Sequence, residues 1–133
     1  MFVRIVILII DLLAVNVNHK QFCKATVFGT PHDKNMGTKT ACKPYVFDPT
    51  IIGIAHRTLR CGQRVLITLP RTNLSVIARV VDRGPYGAIM DDGSWAKKIR
   101  PSDEGTWRGC VDMTPALSKV LQHSGWDNVV IRY

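Results

Sequence analysis

Apolar stretches in this chain are short, and each ends on a turn residue or a charge. Lys24 to Phe28 (KATVF) stops at Gly29, Ile51 to Ala55 (IIGIA) runs into His56-Arg57-Thr58, and Arg64 to Leu69 (RVLITL) alternates before Pro70. Leu74 to Val81 then carries an apolar run into Asp82-Arg83-Gly84-Pro85. Runs of this length and punctuation predict strands, and the pair joined through Pro70 to Asn73 predicts an antiparallel hairpin. Cys110 to Met113 is strand-like. Thr114-Pro115 is a favoured N-cap followed by a favoured first helical residue, and Ala116, Leu117, Val120 and Leu121 supply an apolar face up to Gly125. Asn128 to Tyr133 (NVVIRY) alternates as a closing strand. Two polar loops, Thr30 to Lys43 and Gly87 to Gly109, lack periodicity. About six short strands and one helix predict a mostly-β chain folded as a small closed barrel with a long inserted loop.

The 133 residues are 46% hydrophobic, which suits one domain with a single core. Lys and Arg exceed Asp and Glu by eight charges, and the balance survives removal of the first eighteen residues, which hold Arg4 and Asp11. The bases are scattered from Lys20 to Arg132, unlike a nucleic-acid arm, so the expected partner is an anionic wall polymer and not a nucleic acid. Glu104 is the only Glu, which places carboxylate chemistry on the nine Asp residues. Met1 to Ala14 (MFVRIVILIIDLLA) is one base and a short apolar run. A bilayer span needs about 20 residues, so the expectation is an export signal over residues 1–18, no stable membrane span, and a domain over 19–133. Cys23, Cys42, Cys61 and Cys110 show no CxxC pair and no zinc-like His spacing. An even count behind an export signal predicts two disulfides in an oxidising compartment, with three connectivities open. No cofactor or metal is expected.

Candidate chemistry collects at strand ends, where sites are commonly built. Taken alone, Asp82 is a turn-forming Asp before Gly-Pro, and His56 a residue that ties a strand end to a neighbouring loop. They stand, however, in three ordered pieces: Ala55-His56-Arg57-Thr58, Asp82-Arg83-Gly84-Pro85-Tyr86 and Val111-Asp112-Met113-Thr114-Pro115. With Ala25-Thr26-Val27-Phe28-Gly29 and Gly62-Gln63-Arg64-Val65, the set resembles the double-psi β-barrel of the rare lipoprotein A family over about Lys24 to Tyr133. That family is in turn similar to expansins, barwin-like proteins and barrel-type lytic transglycosylases.

The resemblance implies a six-stranded double-psi β-barrel that acts on peptidoglycan by lytic transglycosylation, in the envelope or on a phage particle. It implies Asp82 and Asp112 as the acid and base, with Asp82 expected as general acid, and His56 as their companion. Thr26, Arg83 and Tyr86 are the implied substrate contacts. The loop from Gly87 to Gly109 is longer than the family's, and its Trp95 and Trp107 either stack on sugar rings or close a small local core. Tyr45 joins the substrate contacts through a departure: Pro44-Tyr45-Val46-Phe47-Asp48 stands where the family has Gly-Glu-x-Phe-Asp, so an acid is missing. That loss keeps open a second function, an expansin-like or barwin-like module that grips glycan without cutting it, and a third, a structural part of an envelope or phage assembly with protein partners. In the expansin and barwin-like relatives a Cys of a Gly-Ala-Cys segment pairs with one in a Cys-Gly turn. Thr40-Ala41-Cys42 and Cys61-Gly62 match them, which implies Cys42 with Cys61 and leaves Cys23 with Cys110.

Overall fold

The structure, a computed structural model, describes residues 18–28, 37–85, 88–89, 95–96 and 109–133, with backbone alone for 88–89 and 95–96. The expected export signal lies outside these residues apart from Asn18, as do Tyr86, Trp107 and the side chain of Trp95.

The described chain runs β1 (Lys20–Val27), β2 (Gly53–His56), β3 (Arg64–Leu69), β4 (Leu74–Asp82), β5 (Ala88–Ile89), β6 (Trp95–Ala96), β7 (Val111–Met113), α1 (Pro115–Leu121) and β8 (Asp127–Arg132). Six strands close a barrel in the order β1-β7-β2-β4-β3-β8. Two neighbouring pairs are parallel, β1 with β7 and β2 with β4. The remaining four contacts are antiparallel, among them the β3–β4 hairpin expected from Pro70 to Asn73.

Alternation sets the inside of the barrel. Ile54, Val65, Ile67, Val80, Val111, Met113, Val129 and Ile131 are fully buried, and burying a side chain of this size contributes about 1.5–3 kcal/mol. Leu117 and Leu121 of α1 close one side of the same core.

Three boundaries differ from the sequence pattern. β1 begins at Lys20, four residues early, because its ladder with β8 runs from Lys20 opposite Arg132 to Ala25 opposite Asp127; Lys20 and Lys24 on its outer face disguise the run. Helix α1 ends at Leu121, before Gly125. Gln122 takes a left-handed conformation (φ 57°), the His123 N–H bonds Ser118 O at 2.9 Å, and the His123 ring reaches the Ala25 carbonyl with Nε2 at 3.0 Å. Anchoring His123 on β1 requires the helix to stop there. Within the expected loop Gly87 to Gly109, β5 and β6 pair as a two-residue antiparallel ribbon.

Arg71, in the hairpin turn, donates to both Asp127 oxygens (2.9 and 3.0 Å) and to Gln122 O (2.6 Å), pinning the turn to the start of β8. The hydrogen bonds from Arg71 hold the Asp127 carboxyl far below the usual carboxylate range. The cysteines pair as Cys23–Cys110 and Cys42–Cys61, with Cα separations of 5.8 and 5.3 Å, so of the three connectivities open to the sequence the one implied by the resemblance is present.

A candidate glycan site across four strands

Barrel register gathers the polar strand ends into one line. Thr26 on β1 lies opposite Asp112 on β7, Asp112 lies opposite Ala55 on β2, and Ala55 lies opposite Asp82 on β4. Laterally paired residues project from the same face of a sheet, and the flanking Val111, Met113 and Ile54 all point into the core. The row Thr26, Asp112, Ala55, Asp82 therefore faces outward, with the two acids standing on either side of a methyl group. Two strand spacings put their Cα atoms roughly 10 Å apart.

A bulge makes this alignment possible. Ile54 pairs with Val80, yet Ala55 pairs with Asp82, so Val81 is an extra residue on β4. Without it the alternation would turn Asp82 to the face of Val80. The displaced Val81 lies against Gly53, where an added Cβ would come within 2.8 Å of Val81 Cγ2. Glycine at 53 is what leaves the bulge its space.

Each acid is held from a second element. Thr26 Oγ1 donates to Asp112 Oδ1. Burial pushes the Asp112 carboxyl above its ordinary range; the Thr26 hydrogen bond opposes this, and the nearby charge of Asp82 adds to it. Asp82, itself buried, accepts the Ala41 N–H at 2.8 Å. The hydroxyl of buried Thr40 donates to Val81 O and accepts the Cys42 N–H at 3.0 Å, so the Cys42–Cys61 loop is locked to the bulge.

His56 points to the core side of the barrel mouth. Its Nδ1 accepts the N–H groups of Thr58 and Leu59, both at 3.1 Å, which places the proton on Nε2, facing Gln21 Oε1 at 3.0 Å. Burial, followed by the charges of Arg57 and Arg83, lowers its pKa to about 4, so the ring is neutral at ordinary pH. Arg83 Nη1 donates to Leu59 O and, at 3.3 Å, to His56 O, bracing the same turn.

No family model matches the chain. A stretch of 55 residues, 40% of the chain, is 38% identical to the probable endolytic peptidoglycan transglycosylase RlpA of Nostoc sp. (strain PCC 7120 / SAG 25.82 / UTEX 2576), and it covers 15% of that protein. Streptomyces papain inhibitor shares the fold over 89% of this chain and 96% of its own, at a TM-score of 0.51 and 16% identity. The fold is a double-psi β-barrel, and the sequence likeness is to the rare lipoprotein A transglycosylase. The chain spans only a small part of the length of the transglycosylase it matches. The likeness and the two disulfides together suggest a protein working outside the cytoplasm.

Within the RlpA-like barrel, Thr26, Asp82 and Asp112 come together, and His56 and Arg83 stand behind them. Tyr45 is a half-buried residue packed against the core, its hydroxyl 3.8 Å from where a Cβ on Gly62 would lie. Asp48, on the same segment, accepts the N–H and hydroxyl of Thr50 in its own turn. Among the described residues no group of three His, Cys, Asp or Glu is placed to hold a metal, and no helix is long and apolar enough to cross a membrane.

Few local signals in the sequence mark the residues that frame this row. Ala55 is the floor between the acids, Ala41 serves through its backbone, and Gln21 holds the imidazole. Arg57 donates to Pro85 O and Gly109 O, both at 2.7 Å, and so joins the two stems of the long insertion. Its position inside the AHRT motif was the only available signal.

Proposed function

We propose that this barrel acts on peptidoglycan strands as a lytic transglycosylase, with Asp112 as the group that moves the proton. One observation carries the reading: a carboxyl kept above its ordinary pKa by burial stands in an outward-facing row with a second carboxylate across a methyl floor. A protonated acid in such a row can give its proton to the glycosidic oxygen as the C1–O bond breaks. The resulting carboxylate then takes the proton of the muramic 6-hydroxyl while that oxygen bonds C1, which closes the anhydro ring and returns the acid without water. Asp82 supplies negative charge beside the developing oxocarbenium centre. Thr26 orients the Asp112 carboxyl, and neutral His56 with Arg83 holds the turn that follows β2. In this proposal Asp112 takes the general-acid role that the resemblance implied for Asp82. Substrate contacts by Tyr86, Trp95 and Trp107 belong to the same proposal, as do the export signal over residues 1–18 and residence in the envelope.

Digestion of purified peptidoglycan followed by mass analysis tests the reading. Anhydro-muramic products are expected from the wild type, with a loss of roughly 10²-fold or more for Asp112→Asn. Ordinary reducing ends in place of anhydro ends would reject transglycosylation. A second reading is favoured by Tyr45, which brings an aromatic ring packed on the core where the family carries an acid. In that reading the barrel binds glycan and releases no product, and wall pull-down without turnover is its signature.

A further inference from the structure

Two of the four large hydrophobic side chains exposed among the described residues are aromatic and share one face of the barrel: Phe22 is 64% exposed and Trp126 is 40% exposed. Phe22 alternates with Lys20, Lys24 and Thr26 on the outer side of β1. Trp126 directly precedes Asp127, the residue opposite Ala25, and Lys24 Nζ stands 5.9 Å from its ring centroid. On β8, Arg132 faces outward opposite Lys20. The strip thus carries aromatic faces and three cations, while the outward positions of β1 and β8 hold no acid. It ends at Thr26, whose hydroxyl bonds Asp112.

We propose that this strip is a second glycan subsite, continuous with the acid row, which holds the strand beyond the cleavage point. The inference rests on the reading of the row as a peptidoglycan site. Trp126 and Phe22 offer apolar faces on which pyranose rings stack, and Lys20, Lys24 and Arg132 meet the carboxylates that the muramic residues carry on their lactyl groups. From Thr26 to Phe22 the strand covers roughly 13 Å, enough for more than one sugar ring. Charge complementarity and continuity with Thr26 select an acidic glycan as the occupant over a purely apolar partner.

The test is amide and indole NMR titration of the full chain with muramidase-released peptidoglycan fragments, in parallel with a DNA oligonucleotide of similar charge. Shifts are expected at Trp126 Nε1–H, Lys24 and Phe22 together with Thr26 and Asp112, and weaker fragment binding by roughly tenfold is expected for Trp126→Ala and for Lys24→Glu. Phe22→Ala, at a more exposed position, gives the same direction should Trp126→Ala fold poorly. Shifts at Thr26 and Asp112 with a silent strip overturn the subsite and leave the row's function standing. No shift at either overturns both. Shifts on the strip alone overturn the continuity, and equal shifts with the oligonucleotide reduce the strip to a general polyanion patch and overturn the glycan assignment.

Discussion

In the proposed mechanism the raised pKa of Asp112 serves the chemistry while costing stability. A carboxyl whose folded pKa is raised binds its proton more tightly folded than unfolded, so it destabilises the fold once pH exceeds the unfolded value of about 3.9 and more so up to the folded one. Asp112→Asn, which keeps an oxygen for the Thr26 hydroxyl, is therefore expected to raise the neutral-pH melting temperature while abolishing turnover, with the gain vanishing in acid. A lower neutral-pH melting temperature would contradict the desolvated setting. His56 works in the other direction. Its pKa falls from about 6.5 unfolded to about 4 folded, so the neutral folded ring is favoured above 6.5 and stability is lost as pH drops from there toward 4, by about 2 kcal/mol after screening. Denaturant midpoints of wild type and His56→Asn between pH 7 and 4 read this out, and the variant is expected to show the flatter slope. Asp82 and His56 were visible in the sequence because each ends an apolar run, and Asp112 through the resemblance. Their holders, Gln21 and the Ala41 amide, were not, since a polar residue on β1 and a backbone N–H acquire meaning only when distant strands meet.

Secondary elements were legible wherever local pattern decides them. The β3–β4 hairpin and the Thr114 N-cap, whose Oγ1 accepts the Leu117 N–H at 3.4 Å, follow from neighbouring residues alone. The β4 bulge does not, because nothing in Ile77 to Asp82 signals that Val81 is skipped by β2. Gly53 is its counterpart on the facing strand. Gly53→Ala pushes a Cβ to 2.8 Å from Val81 Cγ2, and a β-branched side chain has few rotamers in which to retreat. A loss of about 1–3 kcal/mol in denaturant unfolding is expected, together with reduced glycan turnover as Asp82 is displaced. Unchanged stability would mean that the bulge has slack.

For the molecule as a whole, the parallel contacts β1–β7 and β2–β4 are the part that sequence could supply only through resemblance, because they join residues far apart in the chain. The disulfides bear on the same non-local order. Cys23–Cys110 spans 87 positions and Cys42–Cys61 spans 19. On loop-closure entropy, removing the first costs about 4.5 kcal/mol and the second about 3 kcal/mol. Paired serine variants in urea are expected to rank in that order, and the reverse order would show that Cys42–Cys61 chiefly serves the native state, by fixing the Ala41 amide against Asp82.

The two ends of the barrel are side by side. His19 and Tyr133 exchange backbone hydrogen bonds at 2.8 and 3.0 Å and stack their rings, and the ladder continues inward through Lys20 and Arg132. Under tension applied between these ends, the β1–β8 seam is loaded like a zipper: its hydrogen bonds break one pair at a time, not all together in shear. Peeling of β1 can travel only from Lys20 to Cys23, where the bridge to Cys110 transfers the load to β7. In a single-molecule pulling experiment, oxidised protein is expected to give a short low-force opening and then a stop. Under reducing conditions the same opening should run on into the core.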